Sequence, residues 1–138
     1  MRTPFSERQA RLEAERCLHC HEAPCTAACP SHIDVPGFIA MIRSENVLGA
    51  AELVRSANAM AHVCGKVCPE EVFCQSVCTR GKQDSPIAIR ELHYHATLRQ
   101  SGRGDRLPTF SPRHEKSIAV IGGGPAGLAC AFTSARLG

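Results

Sequence analysis

Two dense runs of cysteine constrain this chain more than any other feature. The first reads Cys17-Leu-His-Cys20-His-Glu-Ala-Pro-Cys25-Thr-Ala-Ala-Cys29-Pro30, four thiols in thirteen residues at the spacing C-x2-C-x4-C-x3-C-P. The second reads Cys64-x3-Cys68-Pro69-x4-Cys74-x3-Cys78. Thiols this dense hold metal or form disulfides. They account for eight of the nine cysteines in 138 residues, while aromatic residues make up only 4% and Trp is absent. The core must therefore be aliphatic and small, and a metal or disulfide scaffold has to supply the missing stability. The opening Met1-Arg-Thr-Pro-Phe-Ser-Glu-Arg has no signal-peptide character, and no apolar stretch is long enough to span a bilayer. A cytoplasmic, reducing location is expected, where disulfides are rare. That favours metal.

Zinc sites commonly pair two C-x2-4-C knuckles. Here Cys17/Cys20 and the two x3 pairs of the second run qualify, but Pro follows both Cys29 and Cys68, which a zinc knuckle does not require. The bacterial ferredoxin run C-x2-C-x2-C-x3-C-P ends the same way, and its last Cys ligates the other of two clusters. Because the middle gap is longer here, the match is to iron–sulfur chemistry and not to the ferredoxin fold. A zinc-stabilised helical interaction domain without redox activity is the alternative.

Helix signals surround both runs. Ser6-x-x-Gln9 resembles a capping box opening a helix to about Cys17. The first Cys run follows as turns, with Pro24 limiting helix before Cys25. Asp34-Val-Pro36 reads as the start of a helix carrying Phe38, Ile39, Met41 and Ile42. Asn46 caps another, from Val47 to about Ala59. Cys64/Cys68 and Cys74/Cys78 stand at i,i+4 on short helical turns, and Ser85-Pro86 opens a helix from Ile87 to about Arg99. Residues 1–100 thus read as an all-α iron–sulfur domain, and 101–116, rich in Gly, Pro and charge, as a linker.

From residue 117 the texture changes. Ser117-Ile-Ala-Val-Ile is a short buried-strand pattern leading into Gly122-Gly-Gly124-Pro125-Ala126-Gly127 and a small-residue helix, Leu128 to Leu137. This is G-x-G-x-x-G between a strand and a helix, the context in which the motif binds a dinucleotide. Gly122 permits the tight turn, Gly124 lets backbone approach a pyrophosphate, and Gly127 lets the helix pack on the strand. The helix N-terminus offers amide donors to the phosphates. Cys130 reads as a small buried thiol. One strand and one helix cannot bury a dinucleotide, so 117–138 is expected to be the first β-α unit of a truncated FAD/NAD(P)-binding domain, and the chain the beginning of a longer enzyme.

The seven histidines give no metal pattern of their own. His93 and His95 bracket Tyr94, and a helix does not place i and i+2 on one face, so at most one faces a cluster. The formal net charge of +3 is mild, and its basic residues lack the aromatic interleaving of a nucleic-acid surface. Neither nucleic acid nor membrane is an expected partner.

Taken together, Glu-Ala-Glu-Arg-Cys-Leu-His-Cys, Ala-Pro-Cys-x3-Cys-Pro, Val-Cys-Gly-Lys-Val-Cys-Pro, Pro-Ile-Ala-Ile and the glycine motif make the chain similar to one family. It resembles the N-terminal part of the pyridine-nucleotide-dependent flavoenzymes that include dihydropyrimidine dehydrogenase and the glutamate synthase small subunit, with Glu-Ala-Pro-Cys and Ile-Asp-Val-Pro-Gly-Phe-Ile closer to the NAD-dependent dihydropyrimidine dehydrogenase FAD subunit. The resemblance implies a helical domain with two 4Fe-4S clusters, followed by a domain that binds FAD. Electrons from NAD(P)H would pass through FAD and the clusters to an FMN-containing catalytic subunit or domain, for pyrimidine reduction or glutamate synthesis. It implies Cys17, Cys20, Cys25 and Cys78 on the first cluster, and Cys29, Cys68 and Cys74 on the second. The eighth ligand, a glutamine in dihydropyrimidine dehydrogenase, falls at His93, with Cys64 the competitor. No catalytic acid or base is expected, and the fragment alone should not turn over.

Overall fold

The computed structural model describes residues 3–100 and 116–138, so the expected linker lies outside the described residues except for Lys116. The chain divides into two units, Met1–Gly104 and Asp105–Gly138.

Short capped helices make up the first unit. Helix α1, Glu7–Glu15, opens on the expected capping box: Ser6 Oγ accepts from Gln9 N, and the Gln9 side chain accepts from Ser6 N. Pro24 does not exclude helix from the first Cys run. It takes the first position of a four-residue α2, Pro24–Ala27, where its missing N–H costs nothing. Helix α3, Val35–Arg43, starts on Asp34, whose Oδ1 accepts from Gly37 N at 3.0 Å. Helix α4, Val47–Ala57, starts on Asn46, whose Oδ1 accepts from Gly49 N at 3.0 Å. Helix α5, Ala61–Val67, carries Cys64, and two 3-10 turns follow at Glu70–Val72 and Thr79–Lys82. Helix α6, Ile89–Gln100, begins two residues later than Pro86-Ile87 suggests.

The core gathers on α6, which packs against α1, α3, α4 and α5. Phe38, Ile39 and Ile42 of α3 meet Ala50, Ala51 and Val54 of α4 and Leu92 and Ala96 of α6, all buried. Each large member contributes roughly 1.5–3 kcal/mol through the water it sheds. Because α6 has neighbours on several sides, His93 and His95 are both buried, although two positions apart. His95 Nδ1 lies 3.0 Å from the Phe5 carbonyl and ties α6 to the segment before α1. Helix α5 lies close against α6 at Gly65, where a Cβ would stand 2.9 Å from Tyr94 Cα. No helix among the described residues is long and apolar enough to cross a membrane.

In the second unit, α7 spans Pro125–Leu137, three residues earlier than Leu128, with Gly124 as its N-cap. Ser117–Ile121 forms no strand. A strand is defined by hydrogen bonds to a neighbour, and none of the described residues pairs with this stretch. Cys130 is exposed, not buried, since no strand among the described residues covers this helix.

Candidate metal centres

The eight N-terminal thiols fall into two groups, each drawn from both Cys runs. Cys17 follows the end of α1, Cys25 lies in α2, and Cys20 is on the loop between them. Cys78 arrives from the far run, just before the second 3-10 turn, and the four line one cavity. The rest of the wall is apolar, with Leu18, Val35, Ile39, Ile87 and Ile89.

The second group is Cys29, Cys64, Cys68 and Cys74. Cys68 lies within electrostatic reach of Cys64 and Cys29, and Cys74 of Cys68, Cys29 and, more weakly, Cys25. Cys74 and Cys78, although i,i+4 in sequence, thus go to different groups. The structure brings Cys17, Cys20, Cys25 and Cys78 together, and separately Cys29, Cys68 and Cys74 with Cys64.

Local backbone explains how the first run folds back on itself. His19, Glu22, Ala23 and His32 all have positive φ without being glycine, and four of the five such residues described lie in this stretch. The left-handed conformation costs roughly 1–2 kcal/mol each. Strain concentrated around one set of side chains is a mark of a functional site. Thr26 adds a clamp, its Oγ1 accepting from Val35 N at 3.1 Å.

Burial makes Cys17, Cys25, Cys68 and Cys74 reluctant to ionise. Burial pushes the Cys25 thiol up to about 11, against the backbone bond at Thr26 and with further upward pressure from Cys17 and Cys78. Burial also raises Cys17, with Cys20 and Cys78 adding to it and Arg43 opposing. In the second group burial, then Glu70 and the neighbouring thiols, push Cys74 up to about 12. Thiolates there require an electrophile to displace the protons, which is what iron or zinc does. Among the described residues no three His, Cys, Asp or Glu side chains converge as ligands of a single ion. Thiols spread around a cavity suit a 4Fe-4S cluster, which takes one thiolate on each iron.

Around the second group lie features that sequence reasoning missed. Glu70 is 2% exposed, and its Oε2 accepts from Arg90 N at 2.7 Å. The Arg90 guanidinium donates to the Cys68 carbonyl at 2.9 Å and pairs with Glu70 at 3.8 Å. This carboxylate therefore fastens the second Cys run to α6. In sequence, Glu70-Glu71 looks like a solvated charge pair, and no local signal marks one of them as buried.

His93 is 7% exposed, and its Nε2 is buried without a hydrogen-bond partner. A backbone bond at Ala61 holds the ring beside the first turn of α5, the helix that carries Cys64 and is capped by Cys68. Burial pushes the imidazole down to about 4, so it is neutral at neutral pH. An orphaned lone pair in a buried, neutral ring is what a metal ligand needs and what a packing residue avoids.

The glycine motif forms a turn into α7 with no strand before it among the described residues. Gly122 has φ +107°, and a Cβ at Gly127 would collide with the Gly122 carbonyl oxygen. Gly123 and Gly124 face open space, so Gly124, Pro125 and Ala126 leave the N-terminal amides of α7 accessible.

Comparison with known proteins adds to this geometry. Residues 1–104 match the family model described as dihydropyrimidine dehydrogenase domain II, 4Fe-4S cluster. The NAD-dependent dihydropyrimidine dehydrogenase subunit PreT of Escherichia coli (strain K12) is 42% identical over 134 residues, 97% of this chain and 32% of that protein. The Salmonella typhimurium (strain LT2) PreT subunit is 41% identical over 134 residues, with the same shares of 97% and 32%. The glutamate synthase (NADPH) small chain of Escherichia coli (strain K12) is 36% identical over 136 residues, 98% of this chain and 29% of that protein. The chain thus spans about a third of the length of the curated relatives it matches.

Proposed function

Because this chain belongs to the family of dihydropyrimidine dehydrogenase domain II, 4Fe-4S cluster, we propose that it is the electron-transfer module of an NAD(P)H- and FAD-dependent iron–sulfur oxidoreductase. The observation that carries this is the interleaving of the two Cys runs into two thiol groups. Cys17, Cys20, Cys25 and Cys78 would hold one 4Fe-4S cluster. Cys29, Cys68, Cys74 and His93 would hold a second, with Cys64 as the rival fourth ligand. Such clusters supply one-electron storage and transfer, here between FAD and a flavin, of the FMN type, on a partner subunit or domain.

The chain's own residues position and insulate. Val35, Ile39, Ile87 and Ile89 keep water from the first site. Glu70 and Arg90 hold the second Cys run on α6. Gly122, Gly124, Pro125, Ala126 and Gly127 would receive the FAD pyrophosphate at the N-terminus of α7 once the strands of a FAD domain surround them. On this reading 1–100 is the iron–sulfur domain, 101–116 its linker and 117–138 the first β-α unit of a Rossmann-type domain, in a cytoplasmic enzyme whose substrate chemistry, pyrimidine reduction or glutamate synthesis in type, lies elsewhere.

Anaerobic purification followed by iron, acid-labile sulfide and zinc assays tests the proposal. About eight irons and eight sulfides per chain, with a broad visible absorption that dithionite bleaches, are expected for two such clusters. Zinc without sulfide would overturn it in favour of a structural domain. His93→Ala should lower the iron to about four while Cys64→Ala leaves it near eight; the reverse pattern assigns the eighth ligand to Cys64.

A further inference from the structure

The first thiol group takes Cys17, Cys20 and Cys25 from one short run, but its fourth member, Cys78, lies 61 positions beyond the first. Local turns bring the three early thiols together. Cys78 has to be delivered, and closing a loop of that length costs conformational entropy. A contact within the protein, close to both ends of the loop, would meet that cost before any metal arrives.

Arg16 makes such a contact. It is the residue before Cys17, and both are bonded to the last turn of α1: Arg16 N donates to the Glu13 carbonyl and Cys17 N to that of Ala14, each at 3.2 Å. Arg16 Nη1 donates to both carboxylate oxygens of Glu13, at 2.7 and 2.9 Å. Its Nη2 reaches 68 and 69 positions along the chain, donating to Asp84 Oδ1 at 3.1 Å, to Ser85 Oγ at 3.0 Å and to the Ser85 carbonyl. Glu13 completes the tie, its Oε1 accepting from Ala88 N at 2.9 Å. A hydrogen-bonded turn joins this far anchor to Cys78. Gly81 N donates to the Cys78 carbonyl at 2.9 Å, Asp84 N to the Arg80 carbonyl at 3.2 Å, and the Arg80 guanidinium to both Asp84 oxygens at 2.9 Å.

An exposed ion pair is usually a tie of little consequence. Two observations set this one apart. The Arg16 and Glu13 side chains are only 26% and 16% exposed. Two of the bonds that cross between the segments also end on backbone, at the Ser85 carbonyl and at Ala88 N. The planar fork of a guanidinium lets one side chain serve both segments at once. Arg16, Glu13, Asp84 and Ser85 do not line the cavity, so the tie acts on the thiols through the backbone that carries them.

We propose that Arg16 is the positioning residue of the first site: it holds the Cys78 segment against the end of α1, so that the four thiols stand together in the metal-free chain. The inference rests on the two-cluster proposal for what the site receives, and it gives a role to a residue that binds no iron.

The test is thiol capture in the metal-free full chain, with and without Arg16. Dibromobimane bridges two neighbouring thiols, forming two C–S bonds and releasing two bromide ions and two protons, and peptide mass spectrometry identifies the pair. The measured ratio is bridges from Cys17, Cys20 or Cys25 to Cys78 over bridges within the first run. It should fall at least about fivefold in Arg16→Gln. It should stay at the wild-type value in Arg11→Gln, which removes ion pairs with Glu15 and Glu45 from the same helix without touching the Cys78 side. After reconstitution, Arg16→Gln should lose iron to a chelator faster from the cluster that is missing in Cys20→Ser, and at the wild-type rate from the other. If Arg16→Gln does not fold by circular dichroism, Asp84→Asn, which loosens the same tie from its far side, makes the same comparison. An unchanged ratio in a folded variant would overturn the inference, as would an equal fall in Arg11→Gln or a wild-type chain in which Cys78 is not bridged to the first run. Failure of the two-cluster proposal reads differently: the wild-type chain would take up no iron and sulfide, whatever its capture ratio.

Discussion

Gly65 sits where α5 crosses α6, and Gly65→Ala tests whether that crossing positions the second thiol group. The added Cβ would stand 2.9 Å from Tyr94 Cα, 3.1 Å from its N and 3.2 Å from its Cβ. Two of these atoms are backbone, so α5 must move as a body, since no side chain can rotate away. Overpacking of this kind costs roughly 1–3 kcal/mol, and a contact against backbone belongs in the upper part of that range. Replacing a helical Gly with Ala returns roughly 1 kcal/mol of propensity. The net loss should be about 1–2 kcal/mol, and at 4–8 °C per kcal/mol for a unit of this size the melting temperature should fall by roughly 4–16 °C. Gly81→Ala is the control, because a Cβ there meets Pro86 at an ordinary 3.5 Å. Thermal unfolding of cluster-loaded protein, followed by circular dichroism and by the cluster absorption, gives both numbers. Movement of α5 should also speed iron loss to a chelator from the cluster proposed at Cys68. A Gly65→Ala protein that melts at or above wild type, or Gly81→Ala melting as low, would refute the reasoning.

Three further substitutions probe separate contacts. Glu70→Ala leaves Arg90 N without its buried acceptor and should cost at least about 1–3 kcal/mol; a melt indistinguishable from wild type would mean the carboxylate is dispensable. Ser6→Ala removes the capping box of α1 and should cost about 1 kcal/mol, read as a lower melting temperature; an unchanged melt would show that packing alone holds α1. The Arg80 guanidinium, then the Ser85 N–H and Arg16, hold the Asp84 carboxyl well below the usual carboxylate range. Its stabilising contribution is therefore present above about pH 4 and is lost as pH falls below that. The gap in melting temperature between wild type and Asp84→Asn should close on acidification, and a gap that widens would contradict the assignment.

Local rules place the helices well. The caps at Ser6, Asp34 and Asn46 lie where their side chains and the following apolar periodicity put them, because a cap needs only three or four consecutive residues to form. Proline misleads at position 24, where it starts a helix instead of limiting one, and at 86, where it precedes the start of α6 by three residues. Both outcomes depend on where the chain must travel next. The partition of the thiols is the hardest part to derive from spacing, since Cys74 and Cys78 look like one pair and belong to two groups. Glu70, Arg80 and Arg90 give no sequence signal, because their roles come from partners 4 to 22 positions away. The strand expected at Ser117–Ile121 shows the opposite limit: it does not form, because a strand needs a neighbour and none of the described residues supplies one.

The crossing of the two Cys runs also sets the order in which the protein can mature. Cys17, Cys20 and Cys25 share their cavity with Cys78, which leaves the ribosome 61 residues after the first of them. At about 5–20 residues per second this delay is roughly 3–12 s. Throughout it the early thiols lack the Cys78 partner with which they share a cavity. On the two-cluster proposal, insertion of iron and sulfide would have to follow synthesis of this entire stretch.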